Sequence, residues 1–333
     1  MIANVRRFAT SSRKSMTAHR STASTTTFAA FVLVVISVFW GLNATASKFL
    51  YNPAGLGMDG IGLFVARSAW TLPIFLALAL LNRPRHAIPA HDLWRMVALG
   101  VLFGPFQTGL FAIGVQHTSA AHVVMLFSLG PPIASVLGAL MLRESISALR
   151  IVSLGVGIVG ALVLMLTRSA TGSHISGDAI ILLNVVSFSL TAVLVRGIAG
   201  NYSPPFITGL YGAIGTALLV LIGLLLGRIG AIAQPLVNDA QTLFWFFGIM
   251  VVGLSCFAQI AQAAALRIVS ASTFSVVTSY GSLLVGIITA VLILHERIGP
   301  SGILAGVILA LALGLAMAPT PRKMLTFTAR KLE

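Results

Sequence analysis

Residues 118–144, TSAAHVVMLFSLGPPIASVLGALMLRE, and residues 270–296, SASTFSVVTSYGSLLVGIITAVLILHE, are two versions of one segment. Each opens on small polar residues, continues as a long apolar run and closes on an acid, Glu144 or Glu296. Each also carries a centre that softens a helix: Gly130-Pro131-Pro132 in the first copy, Tyr280-Gly281-Ser282 in the second. Five apolar segments separate equivalent points of the two copies. Five is odd, so the second copy must cross a membrane in the opposite direction to the first, a layout used by many secondary transporters.

The rest of the chain agrees. Its 333 residues are 57% hydrophobic and 8% charged, with a mean hydropathy of +1.00. A soluble core of this length would need a charged skin that is missing here. Apolar runs of ~20 residues, enough to cross a bilayer core, recur throughout. Spans are expected at 28–48, 60–81, 93–115, 119–142, 148–167, 178–198, 206–227, 241–265, 270–294 and 300–318, with the breakers Asn52-Pro53, Arg83-Pro84, Ser203-Pro204-Pro205, Gln234-Pro235 and Gly299-Pro300 between them. The expected fold class is an all-α polytopic membrane protein, ten transmembrane helices in two inverted five-helix repeats. Its parts are a basic tail (1–27), the first repeat (28–167), a connecting loop (168–177), the second repeat (178–318) and a second basic tail (319–333).

Charge sets the orientation. With the N-terminus inside, sixteen of the 21 Lys and Arg residues fall on the cytoplasmic side, which puts both termini in the cytoplasm of a cell (inner) membrane. Residues 1–27 contain no acid and are rich in Ser, Thr and Arg. That suits a positive-inside tail in a bacterium and an organelle transit peptide in a eukaryote. The net charge of +14 does not indicate nucleic acid, because the basic residues form no contiguous stripe. Cys256 is the only cysteine, which excludes an intrachain disulfide and a Cys-based metal site. No cofactor and no metal are expected.

Polar residues inside apolar spans are costly and tend to face a bundle interior or a wet cavity. Trp40, Asn43 and Ser47 share one helical face; Asn184, Ser187 and Thr191 repeat that pattern, and Ser255, Gln259 and Gln262 echo it. Ser275, Ser279 and Ser282 form a hydroxyl stripe beside Thr278 and Tyr280, and Gln107 sits mid-span. These residues can line a hydrogen-bonding cavity, or they can bond helix to helix as such side chains often do in membranes. Arg67 lies ~10 Å into the second span by the helical rise. It needs a partner there: Asp59, a carbonyl or an anionic substrate. Lys48, at a helix end, can snorkel to the interface. Glu144 and Glu296 fall at helix ends beside Arg143 and Arg297 and read as salt bridges or caps. His117 and His122 can titrate near neutral pH or sit as satisfied interfacial residues. Pro131, Pro132 and Gly281 are candidate bending points.

Taken in order, Trp40-Gly41-Leu42-Asn43 with Lys48, Arg67, Pro131 to Glu144, Phe188 to Arg196 and Ser270 to Glu296 resemble the drug/metabolite transporter (DMT) superfamily, specifically its EamA-type ten-span transporters. The resemblance covers about residues 28–318. It departs from symmetry in the second copy, which lacks the paired prolines and has Phe188-Ser189 where the first has Trp40-Gly41. It implies two inverted five-helix repeats around a central cavity, and export of amino acids, metabolites or drugs.

The chain has seven acids, Asp59, Asp92, Glu144, Asp178, Asp239, Glu296 and Glu333, none in the middle third of a span. A proton-driven exporter of organic cations needs an intramembrane carboxylate. The expected substrate is therefore a small zwitterion, weak anion or neutral metabolite. It is moved by alternating access, facilitatively or coupled without a midplane acid. The alternatives are a multidrug/proton antiporter and, less favoured, a membrane scaffold or insertase-like factor. An enzyme is not expected, because no Asp pair, His-x-x-Glu-His or Gly-x-Ser-x-Gly is present. Gly155-Val156-Gly157-Ile158-Val159-Gly160 matches a dinucleotide pattern but lies wholly within an apolar span. The expected partners are the lipid bilayer and a small-molecule substrate, with no nucleic acid, in a monomer or homodimer.

Overall fold

The computed structural model describes residues 31–53, 55–143, 146–167, 173–268 and 271–317. Glu144 and both basic tails lie outside the described residues. Among the described residues the architecture is all-α, built from ten apolar helices within three residues of the expected spans: α1 (Phe31–Tyr51), α2 (Gly60–Leu81), α3 (Ala90–Gln116), α4 (Ala120–Leu142), α5 (Ala148–Thr167), α6 (Ile175–Ile198), α7 (Pro204–Leu225), α8 (Ala240–Ala265), α9 (Ala271–Leu292) and α10 (Pro300–Met317). Local chemistry starts several of them. Asp59 caps α2 through the Gly62 amide (2.7 Å), and Ser119 caps α4 through the His122 amide (3.1 Å). Asp239 caps α8 through the Thr242 amide (2.9 Å), and Pro204 opens α7. Large apolar side chains such as Leu80, Leu81, Leu140 and Leu225 are left exposed around the outside, as a lipid-facing surface requires.

The two copies lie side by side and run antiparallel. Both oxygens of Glu296, beyond the end of α9, accept hydrogen bonds from the Ala120 and Ala121 amides at the start of α4 (2.7 and 2.9 Å). The end of the second copy thus caps the beginning of the first, and its negative charge suits the positive end of the helix. Lys48 is close enough to interact electrostatically with Glu296. Equivalent residues also meet near the middle, where Trp40 packs edge-on against Phe188 with ring centroids 4.7 Å apart.

Three helices are not regular. Helix α4 breaks at Ser128–Leu129, between Ala120–Phe127 and Gly130–Leu142. Pro131 and Pro132 lack the amide hydrogens that would bond the carbonyls four residues back, so the ladder cannot continue. No break occurs at Gly281: α9 runs through it as one helix. A side chain at 281 would strike Ser37, so the glycine instead admits α1 at close range. The third and eighth spans, equivalent positions of the two repeats, both contain π-helix, over Leu102–Gly109 in α3 and Phe244–Phe257 in α8. Such wide turns are rare and concentrate at functional sites.

The π segment of α3 lies directly on α7. A Cβ on Gly104 would overlap the Gly215 carbonyl, and one on Gly215 would reach the Gly104 amide nitrogen. Backbone atoms cannot rotate out of the way. Gly104→Leu is therefore expected to cost at least about 1–3 kcal/mol, read as a lower melting temperature in detergent, with Gly104→Ala intermediate.

Candidate functional site

Helices α1, α2, α3, α4, α6, α8 and α9 converge on one cavity. About 70 Å³ of it is open to the centre of a water molecule, against the ~10–15 Å³ that one water needs. Two kinds of wall enclose it.

One wall is aromatic. The rings of Phe274, Trp40, Phe188, Phe127, Phe111 and Phe64 form a continuous chain of tilted and edge-on contacts, with centroids 4.7–6.2 Å apart. All but Phe274 line the cavity. At the far end of the chain the Arg67 guanidinium carbon lies 5.2 Å from the Phe64 ring centroid, a cation–π contact.

The other wall is polar, built from Asn43, Arg67, Gln107, Thr108, Asn184 and Gln259, with Ser279 and Ser282 beside them. The Asn184 amide donates to the main-chain carbonyls of Phe106 (3.4 Å) and Gln107, within the π segment of α3. That fixes which way the amide faces and leaves its oxygen without a partner among the described residues. The side-chain oxygens of Asn43 and Gln107 are likewise buried and unpartnered. Tyr211 on α7 donates to the Gln259 side-chain oxygen (3.1 Å) and so holds that side chain in place. Unpaired buried acceptors are expensive, and here three of them belong to one cavity.

Arg67 is 7% exposed. Its Nε donates to Ser255 Oγ (2.7 Å) on α8. Asp59, the acid considered from sequence as its partner, instead pairs with Arg228. The reason is reach: Asp59 stands before the first turn of α2, and Arg67 is ~12 Å further along the helix axis. Among the described residues no carboxylate pairs with Arg67. A buried guanidinium without a counter-charge costs several kcal/mol.

Six of the nine residues expected around a cavity line this one: Trp40, Asn43, Arg67, Gln107, Asn184 and Gln259. Three do not. Thr191 turns back onto its own helix and donates to Ser187 O (3.0 Å). The Tyr280 hydroxyl donates to Ala310 O (3.3 Å) on α10. Gln262, almost one turn beyond Gln259, is buried away from the cavity with both side-chain polar atoms unpartnered. Lys48, Pro131, Pro132, Gly281 and Glu296 lie outside the cavity wall as well. Apart from Phe188, the counterpart of Trp40, the phenylalanines of the aromatic chain went unnoticed in the sequence because a Phe in an apolar run carries no signal of its own. So did one buried pair beside the cavity: His122 Nδ1 lies 3.0 Å and 3.2 Å from the two Asp178 carboxylate oxygens, and Thr118 donates to the same carboxylate.

The arrangement can hold a small polar molecule: a positive fork and unpartnered amide oxygens among the polar lining residues, and an aromatic face for apolar parts. Comparison with known proteins bears on the family. An uncharacterized transporter of Archaeoglobus fulgidus is 25% identical over 178 residues, covering 53% of this chain and 60% of that protein. The uncharacterized transporter YvbV of Bacillus subtilis is 25% identical over 288 residues, covering 84% of this chain and 88% of its own. One crystal structure superposes with a TM-score of 0.60 over 87% of this chain and 95% of the other, at 14% identity, which bears on the fold alone. The EamA-like transporter family matches residues 27–166 and 175–318, and the chain belongs to that family: it is a multi-pass membrane transporter.

Proposed function

We propose that this protein exports small zwitterionic or weakly anionic metabolites, amino acids among them, across the cell membrane by alternating access, with both termini in the cytoplasm. The observation that carries this reading is Arg67, a buried guanidinium on the cavity wall that no described carboxylate neutralises. A substrate carboxylate would supply the missing charge in a planar, two-pronged hydrogen bond. The oxygens of Asn43, Gln107 and Asn184 would accept from a substrate ammonium or hydroxyl, and the aromatic chain would take its apolar flank. The antiporter of organic cations is disfavoured on the same ground: among the described residues, the charged one lining the cavity is Arg67, and no acid lines it.

Direction and chemistry are tested together by metabolite profiles of cells that overexpress the protein, lack it, or carry Arg67→Gln. Overexpression is expected to deplete a set of carboxylate-bearing metabolites inside the cell and enrich them outside, with Arg67→Gln matching the deletion. Depletion of cationic amines instead would sink the reading.

A further inference from the structure

Ser255 is the only hydrogen-bond partner that Arg67 has among the described residues outside its own backbone, and its hydroxyl is itself held. Ser255 Oγ donates to the Met250 carbonyl (2.9 Å), five residues back. In a regular α-helix that carbonyl would accept the amide of residue 254. Within the π-helical stretch Phe244–Phe257 the wider turn brings the oxygen under residue 255 instead. With its hydrogen committed to Met250, the Ser255 oxygen turns a lone pair outward, and that lone pair receives the Arg67 Nε–H at 2.7 Å. Ser255 is 1% exposed and does not line the cavity.

A guanidinium offers two forks to a carboxylate, a side-on one that uses Nε and an end-on one that uses the two Nη groups. Ser255 occupies Nε, and Phe64 lies against the guanidinium. What is left for a ligand is the end-on fork. We propose that Ser255 is a positioning residue: through the π turn of α8 it locks Arg67 so that its two Nη groups form the anion-binding fork of the cavity. The proposal rests on the anion-site reading of Arg67 given above. It also assigns a purpose to the π-helix. A regular turn would offer the Ser255 hydroxyl the carbonyl four residues back instead, as Ser187 serves Thr191 in α6, and its free lone pair would then point away from the present position of the Arg67 Nε.

The test uses the full chain in two settings. In lipid nanodiscs, the Nε–Hε NMR signal of Arg67, recognised by its absence from Arg67→Gln, is expected to exchange slowly with water in the wild type and in Ser255→Thr, and quickly in Ser255→Ala. Equal exchange rates in wild type and Ser255→Ala overturn the proposal. In proteoliposomes, with labelled L-threonine and L-phenylalanine as probes, Ser255→Ala is expected to raise KM about tenfold or more while the maximal rate stays within about twofold. Ser255→Thr is expected to restore KM, and Ser255→Ala to add nothing in an Arg67→Gln background. A fall in the maximal rate at constant KM would mean that Ser255 merely supports the helix, and would overturn the positioning role. If Arg67→Gln transports like wild type, the anion-site reading falls, and this proposal with it. If Arg67→Gln is impaired and Ser255→Ala is not, only the positioning role falls. If neither probe is carried by any variant, the choice of substrate is wrong, and the exchange rates alone decide whether Ser255 holds Arg67.

Discussion

Arg67→Gln is expected to lose transport and gain stability. Removing one partner of a buried, hydrogen-bonded charge pair costs about 2–5 kcal/mol of binding, which is on the order of 30- to 5,000-fold in affinity. KM should rise by that factor or become unmeasurable. The empty protein should respond in the opposite sense, because it no longer buries a charge that no described carboxylate neutralises; a rise in melting temperature of a few degrees corresponds to ~1–2 kcal/mol. Opposite signs of that kind mark a residue strained for function, and they separate loss of binding from misfolding. Arg67→Lys keeps the charge and loses the planar fork, so it should fall between the two. A variant that loses both transport and stability would show that Arg67 is a structural strut, and an unchanged KM would remove it from the site.

How far the sequence foretells the site depends on what each residue needs from its neighbours. Asn43, Gln107, Asn184 and Gln259 stand out because an amide in an apolar run costs energy wherever it points, and these four do line the cavity. Thr191 and Gln262 have the same periodicity and yet lie off it. Helical spacing says which residues share a face but not which helix that face meets. Thr191 also satisfies its own hydroxyl one turn back, which no pattern of spacing can exclude. The paired prolines announce the break in α4, since a missing amide is legible residue by residue. Gly281 announces nothing so definite: a glycine serves a bend or a close contact equally well, and here Ser37 decides for contact. The π turns in α3 and α8 are silent in the sequence, because one extra residue in a turn hardly disturbs an all-apolar run. Through them the backbone oxygens of Phe106, Gln107 and Met250 become available to Asn184 and Ser255. Beside the phenylalanines, the part of the site that stayed illegible is therefore its backbone.

The pairing of His122 with Asp178 is illegible for a different reason, the 56 residues between them, and it leads to the second large effect. Both side chains are 1% exposed, and the Asp178 carboxylate has His122 and Thr118 as its side-chain partners. His122→Ala would leave that carboxylate with the Thr118 hydroxyl as its one remaining side-chain partner among the described residues. Breaking a buried pair on one side costs about 3–5 kcal/mol, so the variant should melt far below wild type in detergent. Replacing both residues removes the stranded charge along with its partner, and swapping a whole buried pair for apolar side chains of similar volume is often close to neutral. His122→Leu with Asp178→Leu is therefore expected to melt above His122→Ala despite carrying two changes. Additive losses would show that the two residues act separately. The double variant also bears on mechanism. His122 belongs to the first copy of the repeat and Asp178 to the second. Their helices carry cavity residues further along, Val123, Val124 and Phe127 on α4 and Asn184 and Phe188 on α6. If the copies move against each other during transport, this tie must part in each cycle. A folded double variant with an altered maximal rate and an unaltered KM would show that it does, whereas an unaltered rate would mean that α4 and α6 travel together.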